Sequence, residues 1–355
     1  MQITEKAYSR EEFKNYLLDH SDEIFKEDTR RRWLKIYCIL VSDDSWQWTL
    51  FSNNELTKMG EIFKVIGKKD DDDDEEQYYI MEYCPGLLLM YTTATNQEYR
   101  ETLGKRIEGS LGATRMWIKP KLFETFWKGI LDETEGFIYR FTSRRGPLDT
   151  NPCKIRPEYK RRFNYTGDDG TQTLAELEEL YGATPESIYI EIDENLKIHI
   201  TNDGLYSAQE ISADAMNLFF KYLDEIKDSI LEMRNVSKSM KFEVVSEFDI
   251  RTVSIESGII RLKECIVDSL MAEKMIEALE EFSFIDLHLE GGSISLTATV
   301  VDEIKGSIFN INASESQILI VPKIRTTFES FIGFYRGIVE SVDEYAEFSL
   351  LSYAS

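Results

Sequence analysis

Segments with a strand pattern alternate with segments of helical spacing, and this alternation constrains the fold more than any other feature. Residues 33–41 and 293–301 are apolar or β-branched and predict strands, whereas residues 208–233 repeat apolar side chains at helical spacing and predict a long helix. A Rossmann sheet would need a glycine-rich first turn, which the sequence lacks. We therefore predict the α+β class, with mixed or antiparallel sheets and packed helices, and the order β-α-β-α-β in the N-terminal half favours a ferredoxin-like layer.

Local signals predict where several of these elements begin and end. Ser9 and Glu12 have the spacing of a capping box, and Pro120 precedes a helix predicted over 121–131. Residues 46–51 are predicted to return as a strand beside 33–41, and 188–192 with 196–200 are predicted to form a hairpin.

Turn residues and charge runs predict two domains. A polar stretch between Ser143 and Gly170 contains several glycines and prolines, which places the predicted boundary near residue 168. We expect an α+β domain over 1–167 and an acidic α+β domain over 168–355. Within the first domain, residues 68–77 include seven consecutive acidic side chains, from Asp70 to Glu76, and predict a solvated loop.

Positive charge is concentrated in one segment of an acidic chain. Lys and Arg number 41 against 65 Asp and Glu, which gives a formal net charge of −24. Residues 1–99 carry a net −9 and residues 166–355 a net −22, whereas residues 100–165 hold 15 basic and 8 acidic side chains, a net +7. Such a surface cannot coat a polyanion as a whole, so contact with nucleic acid is expected only at residues 100–165, here called the basic island.

The densest part of the basic island interleaves cations with aromatic residues such as Tyr139 and Phe141. Cations contact phosphates and aromatic rings stack on bases, a pairing suited to single-stranded nucleic acid. We expect four of the arginines, Arg144, Arg145, Arg161 and Arg162, to share one exposed face. The predicted anion-binding residues are Arg140, Arg144, Arg145, Lys154, Arg156, Lys160, Arg161 and Arg162.

Two structural interpretations of the basic island compete with nucleic-acid binding. The aromatic side chains of residues 137–141 are those of an ordinary buried strand. The arginines can also pair with carboxylates of the acidic half, within the chain or across a subunit interface. The favoured function is a non-catalytic binding subunit of a larger assembly that contacts nucleic acid or a partner protein through the basic island, and we expect a protein partner or a homo-oligomer.

Several chemistries leave no trace in the sequence. Neither G-x-x-x-x-G-K-[ST] nor G-x-G-x-x-G occurs, the four cysteines form no C-x-x-C pair, and three histidines offer few candidates for a catalytic base. We therefore expect no cofactor, no metal site and no catalytic residue. No apolar run approaches the about 18 residues of a membrane-spanning helix, and the start has no signal-peptide core, so we predict a cytoplasmic protein without a membrane partner.

Two alternative functions remain open. Asp286 in one predicted strand and Glu303 with Lys305 after the next have the order of a metal-dependent nuclease, in which two carboxylates bind the metal and the lysine orients water. His199 and His288 fit partly exposed or hydrogen-bonded core positions in strands better than the role of a catalytic base. The net −22 of residues 166–355 also fits an acidic interaction protein that mimics nucleic acid.

Overall fold

The computed structural model describes most of the chain as helices and strands joined by short turns. The described residues are 3–24, 33–42, 45–51, 55–68, 75–145, 153–156, 159–194, 196–209, 211–247, 250–263, 269–290, 295–323 and 326–351. The helices are α1 (Arg10–Asp19), α2 (Ser21–Ile24), α3 (Trp46–Leu50), α4 (Asn96–Tyr99), a π-helical turn (Arg100–Gly104), α5 (Lys105–Gly109), α6 (Pro120–Thr134), α7 (Gly170–Tyr181), α8 (Ala213–Ser239), α9 (Ser269–Ala278) and α10 (Phe328–Ser341).

The strands outnumber the helices. They are β1 (Leu34–Val41), β2 (Leu56–Met59), β3 (Ile62–Lys68), β4 (Glu75–Cys84), β5 (Leu87–Thr92), β6 (Ala113–Arg115), β7 (Phe137–Arg145), β8 (Arg162–Thr166), β9 (Ala183–Glu191), β10 (Lys197–Thr201), β11 (Leu205–Ala208), β12 (Lys241–Glu247), β13 (Ile250–Glu256), β14 (Gly258–Arg261), β15 (Phe282–Glu290), β16 (Ser295–Asp302), β17 (Ile308–Ser314), β18 (Gln317–Pro322) and β19 (Glu347–Leu350). The predicted α+β class with packed helices is confirmed. No described helix combines the length and the apolar character that crossing a membrane requires.

The chain forms two compact units that alternate along the sequence. Unit 1 contains Met1–Ser143, Arg162–Ala175 and Pro185–Ile230; unit 2 contains Arg144–Arg161, Glu176–Thr184 and Leu231–Ser355. The position near residue 168, where turn residues are dense, falls inside unit 1. The physical reason is long-range pairing, since β11 joins the sheet beside β1, with Leu34 opposite Ala208.

Unit 1 is built on an antiparallel sheet in the order β2-β3-β4-β5-β1-β11-β10-β9-β7-β8, with β6 also paired to β1. The chain leads from β1 through α3 to four consecutive strands, which differs from the β-α-β-β-α-β order of a ferredoxin-like layer. One sheet face packs on α6 and α8 through side chains such as Phe123 and Phe219. The opposite face packs near β1 on the helices around Leu103 and Ile107.

The predicted strand over 46–51 is wrong, because residues 46–50 form α3. Both sides of β1 are already occupied: β5 pairs along one side, and β11 and β6 follow each other along the other. With no side of β1 open, Trp46 instead packs edge-on against Phe63, with ring centroids 5.3 Å apart.

Part of the predicted acidic loop over 68–77 lies in strands, including Lys68, Glu75 and Glu76. Glu75 and Glu76 belong to β4, where they pair with Lys68 and Gly67 of β3. Glu76 is buried, and the Lys68 Nζ lies 2.6 Å from a Glu75 carboxylate oxygen. Residues 69–74, including Asp70 to Asp74, lie outside the described residues.

Unit 2 contains an antiparallel sheet in the order β15-β16-β17-β18-β14-β19, and β12 with β13 forms a separate two-stranded sheet. Alternate residues of β16 are buried, as expected for a sheet with one covered face. That face packs on α10, where the Phe282 and Phe334 rings lie 5.6 Å apart and the Phe309 and Phe331 rings 5.4 Å apart.

Candidate functional site

The eight predicted anion-binding residues are divided between the two units. Arg140 and Arg162 belong to unit 1, and the other six belong to unit 2. Their side chains differ in exposure and in partners, so the basic island is not one uniform basic patch.

The end of β7 places two of these arginines against other groups of unit 2. Arg145 is only 5% exposed, its Nη1 donates to the carbonyl of Tyr159 (3.0 Å), and its backbone N–H donates to the carbonyl of Arg161 (2.9 Å). Arg144 Nη2 lies 2.8 Å from a carboxylate oxygen of Glu340 in α10. The expectation that Arg144, Arg145, Arg161 and Arg162 share one exposed face is wrong, because Arg145 is buried.

Three further cations of the island contact groups of their own unit. Lys154 pairs with Glu179 in unit 2, and Arg162 lies 3.0 Å from Glu186 in unit 1. Arg161 lies over the ring of Tyr181, 5.1 Å from its centroid. Glu179 and Glu186 belong to the acidic C-terminal half, as the intramolecular interpretation predicts. Such ion pairs reduce the positive charge that is available to a ligand.

Arg156 and Lys160 are exposed residues of unit 2. Arg156 has a positive φ of 50°, a conformation that non-glycine residues adopt mainly in turns, and its carbonyl accepts from the N–H of Tyr159 at 3.3 Å. Both side chains reach solvent without an ion pair in the described part of the chain.

The aromatic residues of β7 are partly core and partly surface. Phe141 is fully buried and stacks on Tyr165 with ring centroids 5.1 Å apart, as the core interpretation predicts. Phe137 and Tyr139 are half-buried. Tyr139 packs edge-on against Tyr189 of β9 at 5.9 Å.

Arg140 lies within a group of aromatic and basic side chains on the sheet of unit 1. Its guanidinium carbon is 5.0 Å from the centroid of the Tyr189 ring, and the Nζ of Lys197 is 5.0 Å from the centroid of Tyr139. His199 stacks on Tyr189, with centroids 3.8 Å apart and planes inclined by 7°. We call these five residues, Tyr139, Arg140, Tyr189, Lys197 and His199, the aromatic–cation cluster.

Strand register explains how part of the aromatic–cation cluster is assembled. Tyr189 is opposite His199, His199 is opposite Ser207, and Ser207 is opposite Lys35, so four strands contribute to one row. Directly opposite residues of antiparallel strands point to the same face. The row therefore places the His199 imidazole beside Tyr189, with Ser207 one strand farther away and Lys35 two strands beyond His199.

Burial keeps the imidazole of His199 in its neutral form. The pKa of His199 is lowered from 6.5 to about 3, mainly by burial; the negative charge of Asp203 opposes this shift, and the positive charges of Arg140 and Lys35 add to it. The Nδ1 of the imidazole lies 3.4 Å from the Ser207 hydroxyl oxygen. At neutral pH the ring is therefore uncharged and packed, and the nearby positive charge belongs to Arg140 and Lys35.

The sequence prediction missed Tyr189 and Lys197 as companions of Arg140. The hairpin predicted over 188–192 and 196–200 is confirmed as β9 and β10, and its register alone places Tyr189 opposite His199 and Glu191 opposite Lys197. The proximity of Arg140 depends instead on β7 joining the sheet beside β9, which local sequence does not encode.

The three residues of the nuclease alternative do not come together. Glu303 lies beside Glu281, to which its N–H donates (3.0 Å), whereas Asp286 lies five residues farther along β15. At about 3.3 Å per residue the two positions are roughly 16 Å apart along the strand, which is beyond one metal ion. Glu303 accepts a hydrogen bond from Ser283, and Lys305 donates its N–H to Asp302 at 2.8 Å.

The described residues offer no cluster of metal ligands, and the apolar cavity of unit 1 is small. They contain no group of three or more His, Cys, Asp or Glu side chains placed to hold a metal ion. An apolar cavity in unit 1, beside Phe126, Tyr206 and Leu223, has a volume of about 10 Å³. This volume is about that of one water-sized probe, so the cavity is too small for an organic ligand.

Comparisons with known proteins give no functional assignment. No family model matches the chain. An uncharacterized protein from Archaeoglobus fulgidus is 24% identical over 276 residues, which cover 72% of this chain and 73% of that protein.

Proposed function

We propose that this protein is a non-catalytic binding subunit of a larger assembly, and that its aromatic–cation cluster binds single-stranded nucleic acid. The observation that carries the proposal is the position of Arg140, an exposed guanidinium beside two half-buried tyrosines on one sheet. This combination offers a phosphate contact and ring surface on two neighbouring strands, β7 and β9.

Arg140 differs from most other cations of the basic island. It forms no ion pair within the described part of the chain, whereas Arg144, Lys154 and Arg162 each have a carboxylate within 3.0 Å. A cation without a carboxylate partner retains more of its charge for a phosphate group. Arg156 and Lys160 also lack an ion pair in the described part of the chain, but Arg140 lies beside the Tyr189 ring, so we assign Arg140 to the ligand.

The ring surface beside Arg140 supports a single strand rather than a duplex. Bases of a single strand are open to stacking, whereas those of a duplex are stacked on each other. Tyr139 and Tyr189 are half-buried and already ordered by contacts with Lys197 and His199. A preordered platform loses less side-chain entropy when a base binds.

The proposal is tested by the salt dependence of binding. Fluorescence anisotropy with labelled 20-nucleotide oligo(dT) and oligo(rU) would measure affinity between about 50 and 200 mM KCl for the unmodified protein, Arg140→Ala and Lys154→Ala. Losing one phosphate contact from a single strand lowers the log–log salt slope by about 0.7. We expect this change for Arg140→Ala, together with weaker binding.

Lys154→Ala is the matched control, since it also removes one positive charge but from a side chain that pairs with Glu179. We expect its affinity and slope to match the unmodified protein. The proposal would be wrong if the unmodified protein did not bind at low salt, or if both variants lost affinity equally.

A further inference from the structure

The strand β15 lies at one end of the strand order in the unit 2 sheet, and it carries exposed apolar side chains. Among the described strands, β15 pairs with β16 alone. Ile285 is 49% exposed and Leu287 is 37% exposed, and Ile304, in the turn that follows β16, is 58% exposed. An exposed edge with apolar side chains is a common place for another strand to bind.

Exposed acidic side chains lie along the same strand and in the adjoining turn. Residues 269–305 contain eight acidic and two basic side chains, a net charge of −6. Glu281, Asp286 and Glu303 are exposed along β15 and the adjoining turn. Because the N–H of Glu303 donates to the carbonyl of Glu281, the turn that carries Ile304 lies next to the start of β15.

The same charge argues against a second copy of this chain as the occupant. Two copies of β15 would bring identical acidic borders together, and each whole chain carries −24. Like charges opposite each other destabilise strand pairs. A segment with basic side chains would instead face opposite charge along the edge.

The strand also has an irregularity that shapes the available edge. Its pairing with β16 shifts between Ile285 and His288, and Asp286 has a φ of +53°. A bulge of this kind bends the strand and divides its edge into short stretches. Pairing with a partner strand is therefore limited to a short stretch on either side of the bulge.

We propose that β15 docks an extended basic segment of a partner protein, with apolar side chains alternating with Lys or Arg. The segment pairs through its main chain with the edge of β15, its apolar side chains contact Ile285, Leu287 and Ile304, and its cations face Glu281, Asp286 and Glu303. This surface belongs to unit 2, so the inference is independent of nucleic-acid binding by unit 1.

The test uses two synthetic eight-residue peptides, one alternating lysine with valine and one alternating glutamate with valine. Isothermal titration calorimetry on the full chain is expected to detect the lysine peptide and not the glutamate peptide. The double variant Ile285→Thr/Leu287→Thr should bind the lysine peptide at least about ten-fold more weakly, because it loses apolar contact while threonine retains strand propensity.

Leu350→Thr is the matched control, because Leu350 is also 37% exposed but lies on β19, at the far end of the strand order. We expect this variant to bind normally. A second variant, Asp286→Asn/Glu303→Gln, should bind the lysine peptide more weakly than the unmodified protein does at low salt. It replaces the threonine variant in the test if circular dichroism shows that the threonine variant is unfolded. Equal binding of both peptides, or unchanged binding by folded Thr and amide variants, would overturn the proposal. So would a dimer in analytical ultracentrifugation that the threonine variant abolishes, since β15 would then bind a second copy.

Discussion

Protonation of His199 should make folding of unit 1 sensitive to acid. The pKa of this buried imidazole is lowered from 6.5 to about 3, so the folded state excludes a proton that the unfolded chain accepts. The stabilisation is fully present above about pH 6.5 and is lost progressively as the pH falls toward 3. Over that whole range the linked loss is about 5 kcal/mol, or about 1.4 kcal/mol for each pH unit.

The perturbation is His199→Phe, which removes the titrating group and keeps an aromatic ring against Tyr189. Urea unfolding followed by tryptophan fluorescence would give the free energy of unfolding at pH 7, 6, 5 and 4. Carboxylates contribute to acid unfolding in both proteins, so the informative quantity is the difference between them. Between pH 6 and pH 4 the unmodified protein should lose about 2 to 3 kcal/mol more than His199→Phe.

The control is His288→Phe, which replaces an exposed histidine of unit 2 by the same residue. It tests whether substitution by phenylalanine alone changes the acid response. Parallel pH curves for the unmodified protein and His199→Phe would refute the reasoning, because they would show that His199 takes up its proton equally in the folded and unfolded states.

Two further substitutions test close packing and a buried carboxylate. Gly170→Ala should lower the thermal midpoint by several degrees, since its Cβ would lie 2.1 Å from the Ile138 carbonyl oxygen. Gly109→Ala, where no atom lies within 4 Å of the added Cβ, should be neutral or slightly stabilising. Equal midpoints for the two variants in differential scanning calorimetry would contradict this prediction. Asp302→Ala should lower the free energy of unfolding in urea by about 3 kcal/mol, because this buried carboxylate accepts hydrogen bonds from the Ser330 hydroxyl (2.6 Å) and from two backbone N–H groups. If Asp302→Ala destabilises the protein no more than Ser330→Ala does, this role of Asp302 is contradicted.

The sequence by itself determined many of the local elements. The capping box predicted from Ser9 and Glu12 is confirmed at the start of α1, where each side chain bonds the other's backbone N–H. Pro120 begins α6 as predicted, and apolar spacing gave the long helix α8 with its ends displaced by a few residues. Caps, prolines and periodicity act between residues close in sequence, so the sequence displays them directly.

The tertiary structure decided which elements pair and which charges remain available. Because both sides of β1 are paired, residues 46–50 form the helix α3 and not the predicted strand. Arg144 and Glu340 are distant in sequence, and the fold brings them into an ion pair. The hairpin register could predict that Tyr189 meets His199, but only the order of β9 and β7 in the sheet places Arg140 beside them. Strand pairing depends on which faces are buried in the whole fold. The local sequence of a strand does not show which strand lies beside it, and so it does not show the cross-strand contacts either.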